Sequence, residues 1–509
     1  MSRWLAFVLA ACTGALLLMA SGLRPDAFFV GDPGVKLLSA RNALHFPTHP
    51  LAIPLPRIGP DPTPLVENFF VVHGTHAHAV TSEVFPLLSA PLLAVFGMRG
   101  LYMLPALGFL ATLGGCGWLA WALDRRRNTA LVATVAALGT PFLFYGLEFW
   151  EHTPALALGV CGAALLLDAA GRAPGRHASV PATLAAGLLS GAAIALRTEA
   201  ACFFVAVLLA SRTLVHRPTW RSLAIAVVGA ALALLPLELY TALHFGSLVP
   251  GHVGTNAGLI GAGWWSERLQ AAADWLWPSW WNGAGPLRPS SFWSVAPAAV
   301  LALLAGASRS ERDERPFLWL VAGLTTLLVL AAAPNEGGGQ WGPRYLLFAY
   351  VPLTLLASDF VQGTGSPRGW PRVAVLALLL LACVWVQRAA YRQLRGTKST
   401  YGRIVDFVSA TTAPGTFLVT DVWWLDQLAA SALDSRTLLF VSDVATGRNV
   451  VQRLSDRTIP TLTVIRSREE SPDVDAWSAP TCYFEEARDE LPVRGLVAIR
   501  LRHRCGYKP

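Results

Sequence analysis

Long apolar runs recur along the chain, each closed by a short polar break, and the breaks alternate in character. Asp124 to Arg127 (DRRR), Gly171 to His177 (GRAPGRH), Ser211 to Arg221 (SRTLVHRPTWR), Ser308 to Pro316 (SRSERDERP) and Gly363 to Arg372 (GTGSPRGWPR) carry concentrated basic residues. The positive-inside rule places such loops on the cytoplasmic side. The remaining breaks, Gly31 to Lys36 (GDPGVK), Glu148 to His152 (EFWEH), Arg197 to Glu199 (RTE) and Asn335 to Arg344 (NEGGGQWGPR), then fall on the opposite face. Chemistry is expected there.

The apolar runs predict spans at about 4–23, 99–123, 128–147, 154–170, 181–197, 199–211, 222–243, 291–306, 317–333, 345–361 and 373–390. Most approach the length needed to cross ~30 Å of hydrocarbon, and 199–211 is the short one. The first run could serve as a signal peptide, but it lacks a clear small-x-small cleavage site and is read as an uncleaved anchor. About eleven crossings put the N-terminus inside and the C-terminal region outside. The fold class expected is therefore mainly α: a polytopic transmembrane helical bundle over 1–396, with a small extracytoplasmic α/β domain over 397–509. In that domain TFLVTDV, TLLFVSD, TLTVIRS and LVAIRLR read as strands, with helices around Trp423 to Leu433 and Thr446 to Leu454. Strands alternating with helices suggest a partly parallel sheet.

Composition adds two exclusions. A chain that is 54% hydrophobic and only 14% charged is no soluble domain. Its net charge of +8 would suggest a nucleic-acid partner in a soluble protein, but the excess sits in the short basic loops, so no nucleic-acid role is read. Five of the seven cysteines lie in apolar spans. Cys482 and Cys505 are alone in the exported domain, where a disulfide is expected.

The first outer loop, about 24–84, brings Asp32 out at the membrane surface directly after the first span, followed by Pro33 and an apolar run. Asp before Pro fits a helix N-cap, and a capped helix would fix the carboxylate rigidly. Lys36 and Arg41 lie on or near adjacent faces of that helix, either to meet an anion or to snorkel toward lipid headgroups. His73, His76 and His78, ahead of Glu83, have spacing that could ligate a divalent metal, although solvated loop histidines are the plainer reading. Val84 to Phe96 is too short to span and is expected to lie in the interface or re-enter.

The order of five features, an outer-loop Asp after the first span, FPLLSAPLLAVFG, GLLSGAAIALRTEA, FGSLVPG and GGGQWGPRYLLFAYVPL, resembles the GT-C superfamily of membrane glycosyltransferases. The likeness is to its bacterial branch, related to the protein mannosyltransferases and aminoarabinose transferases. It covers most of the membrane region and implies a helical bundle with amphipathic helices in the first outer loop. The activity implied is sugar transfer from a polyprenyl-phosphate donor, with membrane lipid and an unidentified envelope acceptor as partners. Family members often follow the first-loop Asp with a second acid; Pro33 stands there, which weakens the carry-over of metal binding and leaves Asp32 as the candidate base.

That reaction suits the residues found. An acceptor hydroxyl must lose a proton to a positioned carboxylate, assigned to Asp32, while the departing lipid phosphate needs cations, assigned to Lys36, Arg197 and Arg344. Arg197 and Glu199 can equally pair with each other at an outer turn, and Arg344 can be a snorkelling residue. Trp341 and Tyr345 offer an aromatic platform beside Arg344. Glu148, Glu151 and His152 form a cluster able to bind sugar hydroxyls, or else a solvated turn. Trp264, Trp265, Trp275, Trp277, Trp280, Trp281 and Trp293 suggest an interfacial belt, a lipid-chain groove or a sugar platform. A lipid-linked sugar transporter would show ionisable residues deep in its spans and similar halves, which the sequence lacks. A non-catalytic envelope scaffold stays open as the alternative.

Overall fold

The computed structural model describes residues 3–56, 58, 69–171, 179–246, 264–277, 291–307, 314–333, 341–362, 370–471 and 482–505. Parts of the expected basic loops, the FGSLVPG motif from Ser247 on, the GGGQ segment, Trp280 and Trp281 lie outside them. The first helices are α1 (Arg3–Ser21), α2 (Asp32–His45), α3 (Val84–Phe96), α4 (Met103–Leu123), α5 (Thr129–Gly139), α6 (Phe142–Gly146), α7 (His152–Gly171), α8 (Val180–Leu196), α9 (Glu199–Ala210) and α10 (Trp220–Phe245). Further helices follow at Trp264–Leu276, Phe292–Val295, Val300–Ala307, Arg315–Ala332, Tyr350–Gln362 and Trp370–Thr411. Two compact units result: Met1–Gly22 with Tyr102–Gln393, and Leu23–Leu101 with Leu394–Pro509.

The first unit is helical. Among the described residues seven segments are long and apolar enough to cross a membrane, beginning with Arg3–Ser21 and ending with Trp370–Thr411. The runs at 128–147, 181–197, 199–211 and 291–306 form shorter helices. One cause is plain: Pro141 follows Thr140, and the residue before a proline is pushed out of helical geometry. Thr140 is extended there, and the helix stops at Gly139. The Gln387 amide donates to the freed carbonyls of Ala137, Leu138 and Thr140, replacing the helical partners that the break removes. Helices α4 and α7 run parallel, Gly108 lying against Pro154, Gly115 against Cys161, and Arg125 beyond α4 meeting Asp168 near the far end of α7. Gly187 and Gly191 let α8 approach the α10 backbone at Ala226 and Ala230, so the GLLSG motif is a packing device.

The second unit holds all the described strands. The first loop contributes α2, α3 and a small antiparallel sheet of β1 (Ile53–Pro54), β2 (Phe70–His73) and β3 (His76–Ala79). The later residues form β4 (Phe417–Thr420), β5 (Thr437–Phe440), β6 (Thr461–Ser467), β7 (Tyr483–Leu491) and β8 (Leu496–His503), in the order β5-β4-β6-β8-β7. β5, β4 and β6 are parallel, and β8 and β7 complete the sheet antiparallel. One core joins loop and domain: Val35 of α2 and Phe70 and Ala77 of the small sheet pack with Leu418, Trp424, Leu425 and Leu428. The 42-residue helix Trp370–Thr411 runs well past the expected end of the last span near 390, and its second half supplies Ile404 and Val408 to that core. Cys482 and Cys505 are disulfide-bonded, with Cα atoms 5.0 Å apart, tying the start of β7 to the end of β8.

Candidate functional site

In the loop-and-sheet unit, α2 begins one residue earlier than a capping Asp would require. Asp32 is the first helical residue, Gly31 takes the cap position without a side-chain cap, and Pro33 fits the first turn because its missing N–H has no helical partner there. Asp32 is half-buried at the favourable positive end of the helix dipole. Lys36, one turn on and on the same face, is buried. Two glycines fix this helix end. A Cβ on Gly31 would stand 1.7 Å from the Gln427 side-chain oxygen, and one on Gly34 would stand 1.8 Å from the Gln427 backbone oxygen. The GDPGVK pattern thus seats Asp32 against the segment Leu425–Leu428.

Arg41 has a structural post. Its guanidinium donates to the carbonyls of Ala430 and Ser431 and pairs with Asp434 at 3.0 Å, clamping α2 to the following turn. Glu83 is buried at the start of α3. His73 and His76 face each other across the β2–β3 pair, and His78 lies two residues on in β3. Among the described residues no group of three or more His, Cys, Asp or Glu is disposed to hold a metal. Asp426 was not singled out from sequence. It is fully buried, and desolvation pushes its carboxyl up to about 7, the backbone amides of Gln427 and Asp426 drawing it back only in part.

In the helical unit a second cluster forms where the chain leaves α6. The Pro141 break lets the FYGLEFWEH segment turn without continuous helix, which gathers Tyr145, Trp150 and His152 with ring centroids 4.8 to 5.5 Å apart. Arg197 caps the end of α8 and pairs with Glu151 at 3.0 Å and with Glu199 at the start of α9. All three are largely buried. Arg344 donates to the Tyr345 hydroxyl at 3.2 Å, and the guanidinium carbons of Arg344 and Arg197 lie 5.0 and 5.6 Å from that ring. Trp341 accepts through its carbonyl from the Tyr145 hydroxyl at 2.9 Å. Glu148 is buried one turn away, its carboxylate accepting from the Phe149 amide.

The sequence-assigned residues Glu148, His152, Arg197, Glu199, Trp341, Arg344 and Tyr345 therefore belong to one neighbourhood of the helical unit. Asp32, Lys36, Arg41 and Glu83 belong to the other unit. Tyr145 and Trp150 were missed; their only sequence signal was an aromatic run beside a proline, which a lipid-facing belt would share. Chemically, the cluster combines carboxylates, guanidinium groups and aromatic faces, a set suited to sugar hydroxyls and a phosphate.

No protein-family model matches the chain, and no curated protein matches it by sequence. Solved structures do match by shape. ArnT from Cupriavidus metallidurans in the apo state superposes with a TM-score of 0.59 at 14% identity, covering 98% of this chain and 97% of that one. The same protein bound to undecaprenyl phosphate gives 0.58 at 15%, covering 98% of each chain. This chain shares the fold of these ArnT structures. An Archaeoglobus fulgidus oligosaccharyltransferase tethered to an acceptor peptide shares the fold more distantly, at 0.51 and 12%, over 98% of this chain and 74% of that one. The several long apolar helices fit a multi-pass membrane protein.

Proposed function

We propose that the chain is a membrane glycosyltransferase that moves a sugar from a polyprenyl-phosphate-linked donor to an acceptor of the cell envelope, on the extracytoplasmic face. The observation that carries this reading is the two-way coverage with ArnT, including the form bound to undecaprenyl phosphate: the likeness takes in the first-loop helix and the C-terminal domain as well as the spans. The disulfide supports an oxidising compartment for that domain.

In the proposed reaction the acceptor oxygen attacks the anomeric carbon and its proton passes to Asp32. The bond from the anomeric carbon to the phosphate oxygen breaks, and the electron pair leaves with the polyprenyl phosphate. Lys36, one turn from Asp32 on the same helix, stabilises the charge that develops on that phosphate. Arg197, engaged by Glu151 and Glu199, holds the cluster in shape and presents the two carboxylates toward sugar hydroxyls. The aromatic faces of Tyr145, Trp150 and Tyr345 exclude water.

The test is transfer from a panel of radiolabelled polyprenyl-phosphate sugars in vesicles containing the purified chain. Removing a general base lowers such rates by about 10² or more. Asp32→Asn is expected to lose transfer at that level with an unchanged melting temperature. Full transfer by Asp32→Asn would discard the assigned base, and no transfer from any donor by the unaltered chain would favour a scaffold.

A further inference from the structure

The helical unit contains a cavity of about 670 Å³ that the proposed reaction does not use. It lies toward the other end of the helices that carry the Glu151–Arg197 cluster. α4 and α7 run parallel, with Thr153 bonded to Pro105 at one end and Asp168 paired with Arg125 at the other. Fifteen residues of helix, roughly 22 Å at 1.5 Å per residue, separate Thr153 from Asp168. The walls are Leu5 of α1, Ala111, Gly114, Trp118 and Trp121 of α4, and Cys161 of α7. Its polar end is made by Arg125, which is partly exposed, and by Arg127, which is buried in a 3.0 Å pair with Asp359 and leaves Arg125 as the accessible cation.

We propose that this cavity binds one anionic phospholipid of the surrounding leaflet. Its profile is that of an amphiphile: apolar along α4, cationic at the end of the span. Arg125 lies 3.2 Å from the centre of the Trp121 ring and leaves 45% of its side chain exposed, while its partner Asp168 is buried behind it. A lipid phosphate thus meets the guanidinium without first displacing the acid. Trp121 lies in the last turn of α4, and at the ends of spans tryptophan favours the headgroup boundary. Around Gly114 an added Cβ would meet nothing within 4 Å, so the wall is left open where an acyl chain would lie. The volume is in the range of about 300–1,000 Å³ usual for ligand sites. A sugar or free phosphate would find too few polar partners along such walls. Arg3 and Arg126 are exposed at the same end, adding to the attraction for an anion.

Native mass spectrometry of the full chain equilibrated with phosphatidylglycerol, phosphatidylcholine or undecaprenyl phosphate tests the assignment. One phosphatidylglycerol per chain is expected, retained at least tenfold over phosphatidylcholine, and Gly114→Phe is expected to lose it by filling the wall while leaving every charge in place. Equal retention of the two phospholipids, or retention of phosphatidylglycerol by Gly114→Phe, overturns the proposal. Preferential retention of undecaprenyl phosphate overturns it too, by giving the cavity to the carrier. Should Gly114→Phe fail to fold, Ala111→p-benzoylphenylalanine is irradiated in mixed-lipid vesicles: a phosphatidylglycerol adduct supports the site, and its absence sinks it.

Discussion

A single buried carboxylate makes the sharpest prediction at the residue scale. Asp426 has an ordinary carboxyl value of 3.8 when unfolded and about 7 in the fold. A raised acid favours the folded state most below its unfolded value, and that advantage disappears as pH climbs through the folded value. The domain should therefore melt lower at pH 8 than at pH 5, with the loss concentrated between pH 4 and 7. At 1.36 kcal/mol per unit the ceiling is on the order of 4 kcal/mol. Asp426→Asn should flatten this dependence and melt higher than the unaltered chain at pH 8; an unchanged pH profile by scanning fluorimetry would refute the idea. Charged residues at loop ends, such as Asp32 and Arg344, could be read from sequence because a charge beside an apolar run is conspicuous. Asp426 could not, since WWLDQL gives no sign of which side faces water. Nor could the attachment of Arg197 to Glu151, 46 residues away, whereas its pairing with Glu199 was visible as a local alternative.

At the scale of elements, Gly34 decides how α2 is seated. Gly→Ala inside a helix ordinarily stabilises by roughly 0.5–1 kcal/mol. Here the new methyl would meet the Gln427 backbone oxygen, which cannot swing aside, and overpacking costs about 1–3 kcal/mol. Crowding wins. Gly34→Ala should lower the melting temperature and depress sugar transfer by moving Asp32, whereas Gly31→Ala, which meets the mobile end of the Gln427 side chain, should do less of both. Gln387→Leu should cost about 1–3 kcal/mol by stranding the carbonyls at the α5 break, measured as loss of thermal stability in detergent. The four β-branched runs announced their strands plainly. YFEEARDEL did not, because β7 sits at the sheet edge, exposes most of its length, and carries an irregularity between Glu485 and Ala487. Helix ends were misjudged where a proline broke an apolar run, as at Pro141, or where a span continued as an amphipathic helix, as beyond residue 390.

For the whole molecule, the expected split at about residue 396 gave the first outer loop to the membrane region. The contacts group it with the C-terminal residues instead, through Val35, Phe70 and Ala77 and through the Arg24 pairs with Asp26 and Asp406. Removing 397–509 should thus expose the loop: limited proteolysis is expected to cleave within 23–101 in the truncated chain and spare it in the full one. Cys482→Ser should cost about 3 kcal/mol, the loop-closure value for a link spanning some twenty residues, seen as a lower melting temperature without reductant.

The same grouping sets a timetable for biogenesis. Residues 102–393 are synthesised between the two halves of that unit. At about 5–20 residues per second, this interval lasts roughly 15–60 s. Throughout it α2 and the small sheet stand without the apolar partners that bury Val35 and Phe70, open to proteases and to non-native association. A nascent chain stalled after its last span would be a substrate for quality control on that account, however well its helices had inserted.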